Sequence, residues 1–169
     1  MQAPKRKSQL AHQHAKANDN HLSEGAVRKL EGELTHLQER TLPRAKEDVT
    51  RAREMGDLSE NAAYSEAKGR LMRTNTRILE IQDKLANAII IEPGPDEGGK
   101  VRIGSVVTVE VNGKTREYEI TGSDETDPAA GKISHASPLG ALLIGKKTGD
   151  DIQLKNGERS THYSIKIVE

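Results

Sequence analysis

The sequence predicts an α+β protein: an N-terminal antiparallel α-helical hairpin of coiled-coil type, followed by a small antiparallel β domain carrying one short helix. Three observations predict it. Apolar residues between Val27 and Ala88 recur at steps of three and four, the spacing of a narrow helical seam. Beyond a Pro/Gly stretch at 93–99 the period changes to two, with Asn-Gly pairs between alternating runs. The 169 residues include no Phe, no Trp and only three Tyr, so any β core must be small and built from Val, Ile and Leu.

Composition also excludes function classes. Formal net charge is zero, which argues against broad electrostatic attraction to nucleic acid or anionic lipid as the main source of affinity. The absence of cysteine removes disulfide frameworks and thiolate metal sites. No apolar run approaches the roughly 18 residues of a membrane span, and the N-terminus lacks the apolar stretch of a signal peptide. A soluble, cytoplasmic protein is expected.

Residues 1–21 hold Lys5, Arg6, Lys7 and Lys16 against one acid, Asp19, and have no hydrophobic period, so they are expected to form a disordered basic arm. His12, His14 and His21 invite a metal-binding reading, but a solvated tail is the simpler one. Residues 22–92 make the hairpin. Ser23 is placed to cap the first arm, with Glu24 in its first turn. Val27, Leu30, Leu34 and Leu37 form a seam that changes phase before Leu42, Ala45, Val49 and Ala52. Pro43 lies at the change, predicting a kink or break near Thr41 to Arg44. The second arm starts between Asp57 and Asn61 and ends near Asn87, its seam being Tyr64, Ala67, Leu71, Thr74, Ile78, Ile81, Leu85 and Ala88. At ~1.5 Å per residue, an arm from near Ser23 to Glu54 is about 45–50 Å long.

After the linker at 93–99, residues 100–169 read as β. Val107, Val109 and Val111 alternate with polar residues, Asn112-Gly113 turns the chain, and Thr115 to Ile120 returns. An acidic loop at 123–131 leads to a short strand, Lys132 to Ser134. Ser137-Pro138 pairs an N-cap with proline at the first helical position and opens a short helix through Leu139, Gly140, Leu142 and Leu143 that stops at Gly145. A last hairpin turns at Asn156-Gly157, with Tyr163, Ile165 and Ile167 expected to face the core.

The stretch Gly56-Asp57-Leu58-Ser59-Glu60-Asn61-Ala62, followed by Tyr64, lies between the arms and is therefore the hairpin tip. Asp57-x-x-Glu60 has the spacing of a capping box, with Asp57 as cap and Glu60 reaching back. Ser59 can compete for the cap and free both acids. Taken alone, the spacing favours the capping reading.

This tip, together with Gly131-Lys132-Ile133-Ser134, Ser137-Pro138-Leu139-Gly140 and Leu143-Ile144-Gly145-Lys146-Lys147, resembles the bacterial transcript cleavage factors GreA and GreB, and GreA the more. The resemblance covers about Ser23 to Val168. It implies a coiled-coil hairpin followed by an FKBP-like domain, and a monomeric, non-enzymatic accessory factor of bacterial RNA polymerase, associated with the nucleoid through that enzyme. The C-terminal domain would dock at the rim of the secondary channel, through Ser137, Pro138, Leu139, Gly140 and Leu142. The tip would reach the active centre, where Asp57 and Glu60 would hold Mg²⁺ jointly with the polymerase for cleavage of backtracked RNA. Arg53, Asn61 and Lys68 would contact the RNA 3′ segment. For Arg51, Arg53 and Lys68 a solvated helix face is an equal alternative, for Tyr64 seam packing is the default, and for Leu142 and Leu143 core packing competes with docking. Lys146 and Lys147 read as turn charges. Ala63 departs from the family, whose members often carry an acid there. Two other functions stay open: a channel-occupying regulator without cleavage activity, and a prolyl isomerase, which the scarcity of aromatics (Tyr118 and Tyr163) disfavours.

Overall fold

A computed structural model describes residues 19–54, 62–157 and 159–169. The chain forms two units: Gly25–Ala88, and Ile89–Glu169 joined by the described residues 19–24.

In the first unit, helix α1 (Glu24–His36) runs through a π turn (Leu37–Thr41) into helix α2 (Leu42–Glu54). The π turn sits where the seam changes phase. Leu37 and Leu42 stand five apart, and the Leu42 N–H donates to the Leu37 carbonyl. Such a turn absorbs one extra residue. It thereby returns Leu42, Ala45, Val49 and Ala52 to the face begun by Val27, Leu30, Leu34 and Leu37, and all eight are buried or half-buried. The kink or break expected near Thr41 to Arg44 is thus a widened turn within an unbroken helical run. Pro43, which has no N–H to offer the preceding turn, follows directly after it.

Helix α3 (Ala62–Ala86) returns antiparallel, so that Asp48 faces Arg70 and Glu33 faces Arg77. Its seam is as the spacing predicts: Ala67, Ile78 and Ile81 are buried, and Tyr64, Leu71, Thr74 and Leu85 half-buried. Near the 54/62 end the buried seam residues are Ala45, Ala52 and Ala67, small side chains that permit a short interaxial distance. Farther along, Arg77 donates from Nε to Glu33 Oε1 (2.7 Å) and from Nη2 to Oε2 (3.0 Å). That forked hydrogen bond holds the Glu33 carboxyl below its ordinary range and raises the Arg77 guanidinium.

In the second unit, β3 (Val106–Val111), β4 (Lys114–Thr121), β5 (Lys132–Ser134), β6 (Asp151–Asn156) and β7 (Arg159–Val168) form one sheet in the order β5-β4-β3-β7-β6. Every pair is antiparallel except β4 with β5, which run parallel at one edge. Asn112 (φ 51°) and Gly113 (φ 71°) turn the β3–β4 hairpin with both central residues left-handed, as a type I′ turn requires. Val107 and Val109 are fully buried with Val101, Ile120, Leu143, Ile152 and Ile165.

Two details of the last hairpin differ from expectation. Asn156 pairs with Arg159, so the reversal lies between them, one place later than Asn156-Gly157. Opposite β3, Thr108 pairs with Ile167 but Val109 pairs with Ile165. The extra residue, Lys166, makes a bulge that flips the alternation. Ile167 is consequently 49% exposed rather than in the core, while Ile165 stays buried and Val168 packs inward.

The segment expected to be an unstructured arm as far as His21 has structure at its end. His21–Leu22 (β1) pairs in parallel with Ile89–Ile90 (β2), and Leu22 is 1% exposed. Burial of one large apolar residue and a carboxylate anchor, Asp19, outweigh the polar character of the preceding sequence. The stretch at 93–99 is also tied down: Asp96 Oδ1 accepts from the N–H groups of Gly98 and Lys100, and Arg102 Nε donates to the Gly94 carbonyl.

Candidate functional site

The two seams bring Glu54 and Ala62 to the same end of the hairpin, and the residues between them carry the predicted acids. Asp57, Glu60 and Asn61 lie outside the described residues. Of the residues flanking them, Arg53 is exposed in the last turn of α2 and Lys68 is exposed in the second turn of α3. Arg51 lies 3.9 Å from Asp48 on its own helix. Ala63 is exposed, so the position that lacks an acid is one that faces water. Tyr64 is half-buried in the seam.

The second predicted patch divides by role. Helix α4 (Pro138–Leu143) starts at Ser137, whose Oγ accepts from the Gly140 N–H at 3.0 Å. Gly140 is buried, and a Cβ there would meet the Ser134 carbonyl oxygen at 2.1 Å. Leu139 packs on the core and Leu143 is its fully buried member. That leaves Pro138 and Leu142 exposed, joined by Ile144, which sequence reasoning did not single out. Ser137 and Gly140 shape this surface while Pro138, Leu142 and Ile144 present it. Tyr118 and Tyr163 line a cleft of about 330 Å³ together with Val111, Lys114, Arg116 and Thr161. Burial, with Tyr118 adding to it, raises the Tyr163 hydroxyl.

A third cluster escaped the sequence reading. Asp19, His21 and His135 converge, with His21 Nδ1 2.9 Å from Asp19 Oδ1 and His135 Nδ1 3.5 Å from Asp19 Oδ2. The Ser123 N–H donates to Asp19 Oδ2 at 2.5 Å and the His21 N–H to Oδ1 at 3.1 Å. Burial by itself would raise the Asp19 carboxyl, but hydrogen bonds from Ser123 and His21 outweigh it and bring it down to about 2. Only His21 carried a signal in the sequence, as one of the arm's histidines; Asp19 and His135 are too far apart along the chain to be paired by spacing.

Both units match one family over nearly their whole lengths. Residues 20–90 match the family described as "Transcription elongation factor, N-terminal", and residues 95–169 match "Transcription elongation factor, GreA/GreB, C-term". The chain belongs to the GreA/GreB transcription elongation factors. Among GreA relatives, the transcription elongation factor GreA of Mesoplasma florum is 38% identical over 150 residues, covering 88% of this chain and 95% of that one. GreA of Macrococcus caseolyticus is 44% identical over 147 residues, covering 83% and 89%. Among solved structures, GreA factor homolog 1 of Thermus thermophilus is 26% identical and covers 88% of this chain and 97% of its own, with a TM-score of 0.39, too loose an overlay to carry an argument. In this GreA/GreB chain, no helix among the described residues is long and apolar enough to cross a membrane.

Proposed function

We propose that this chain is a transcript cleavage factor: a non-enzymatic partner of bacterial RNA polymerase that stimulates the polymerase's own cleavage of backtracked RNA. The observation that carries the reading is the continuous seam of both arms, which flank a segment holding Asp57 and Glu60. A helical pair of this length is suited to entering a narrow channel, and carboxylates in the segment joining its arms would be carried in with it. The donor set of two carboxylates fits Mg²⁺, a hard ion that also takes water and phosphate oxygens. Asp57 and Glu60 would hold it jointly with the polymerase; when bound it supplies activation of the attacking water and stabilisation of the leaving oxygen. Arg53, Asn61 and Lys68 orient the RNA 3′ segment by charge and hydrogen bonding. The exposed Pro138, Leu142 and Ile144 supply an apolar docking surface near the channel rim. The factor acts in the cytoplasm, as a monomer, at the nucleoid where polymerase works.

The test is RNA cleavage in a purified backtracked elongation complex with Mg²⁺. The intact chain should accelerate cleavage, and Asp57→Ala with Glu60→Ala should abolish the acceleration while leaving helicity, melting and polymerase binding unchanged. One observation favours a second reading: position 63, where the family resemblance leads one to expect an acid, is a solvent-facing alanine, Ala63. If the intact chain binds and competes for the channel yet never accelerates cleavage, it is a channel-occupying regulator.

A further inference from the structure

Among the described residues, Asp19, His21 and His135 are the only three His, Cys, Asp or Glu side chains whose donor atoms gather within 4.8 Å of one another. We propose that they form a binding site for a divalent ion of the zinc class, which pins β1 to the sheet. This inference stands independently of the tip and its cleavage role.

Backbone contacts hold each of the three in place. His21 is held in β1 by its pairing with Ile89. Its carbonyl lies against Gly122, where a Cβ would come within 2.1 Å of the His21 oxygen, so only glycine allows this approach. His135 is fixed by its N–H, which donates to the Thr121 carbonyl at 3.0 Å. The Asp19 carboxylate is oriented by the Ser123 N–H, the kind of outer-shell hydrogen bond that aims a ligating group. Asp19's side chain is 3% exposed, whereas His21 and His135 are 32% and 26% exposed, so the cluster is built from inside and reachable from outside.

The donor chemistry and distances suit the ion. Two imidazoles and one carboxylate are a common Zn²⁺ ligand set, and bonds of about 2.0–2.2 Å place tetrahedral donors roughly 3.3–3.5 Å apart. Here His21 Nδ1 lies 2.9 Å from one Asp19 oxygen and His135 Nδ1 3.5 Å from the other, and the three ligand atoms lie within 4.8 Å of one another, so the two imidazoles need only draw together onto the ion. Binding needs each imidazole to present the Nδ1 lone pair and carry its proton on Nε2. A water completes the tetrahedron. The two rings meet edge to face, with centroids 5.3 Å apart and planes inclined at 64°, and on binding His135 Nδ1 exchanges its 3.4 Å contact with the Thr121 carbonyl for the ion.

The experiment is calorimetric titration of the full chain with ZnCl₂ in excess Mg²⁺, which occupies other carboxylates. One ion per chain should bind saturably, and His135→Asn or Asp19→Asn should weaken it by more than the roughly 10–100-fold that outer-shell changes cost. The pair His12→Asn and His14→Asn should leave the affinity unchanged. Because Asp19→Asn could unfold the strand, Co²⁺ is added to the intact chain as a second probe, and an intense visible spectrum typical of tetrahedral Co²⁺ is expected. Absence of one-to-one binding, a pale octahedral Co²⁺ spectrum, or binding that survives His135→Asn but is lost with His12 and His14 would each overturn the site.

Discussion

Two single residues carry long-range constraints that their sequence neighbourhoods do not show. Gly140 meets the Ser134 carbonyl where a Cβ would be only 2.1 Å away. Gly140→Ala should therefore destabilise the sheet unit by about 1–3 kcal/mol, read as a lower urea midpoint at unchanged slope. Asp19 provides a pH test. Its carboxyl falls from 3.8 to about 2 on folding, so its contribution is fully present above pH ~4 and is lost as pH falls toward 2, about 2 kcal/mol in all. Asp19→Asn should flatten that part of the stability profile. The Ser137 cap and Pro138 were legible because a helix start is written in four adjacent residues. Asp19 was not, because its partner Ser123 lies 104 positions away.

At the scale of elements, the seams of both arms were legible from spacing alone, and the phase change at Leu37 to Leu42 was visible without its cause. A π turn has no composition signal; it is an insertion that the surrounding helix absorbs. Deleting Arg40 should hence keep the seam in register and most of the helicity, with stability lowered by at most about 3 kcal/mol, the cost of Pro43 inside a regular helix. Deleting Glu47, an exposed residue of regular α2, should throw Val49 and Ala52 off the seam and unfold the hairpin, as circular dichroism would show. Within α3, Ile81→Ala should cost about 2–4 kcal/mol, because the side chain is 1% exposed. Leu79→Ala, at 65% exposure, should cost little. The bulge at Lys166 was equally unreadable: period-two alternation put Ile167 inside, and only the pairing register of β3 with β7 moves it out.

For the whole molecule, the change from helical to alternating period separated a helical part from a β part, and the family's sequence blocks drew attention to Asp57 and Glu60 and to helix α4. What no pattern revealed is that the second unit is discontinuous, with β1 supplied from before the hairpin and β2 from after it. This pairing has a kinetic consequence. If residues 25–88 were a loose loop, closing it would cost on the order of 4 kcal/mol. The hairpin has mainly local contacts and so can fold first, presenting its two ends together. Stopped-flow refolding of Ile81→Ala should accordingly show slower protection of the Ile89 and Ile91 amides than in the intact chain, while the β3–β4 amides keep their rate. The hairpin would then be the clasp that nucleates its neighbour.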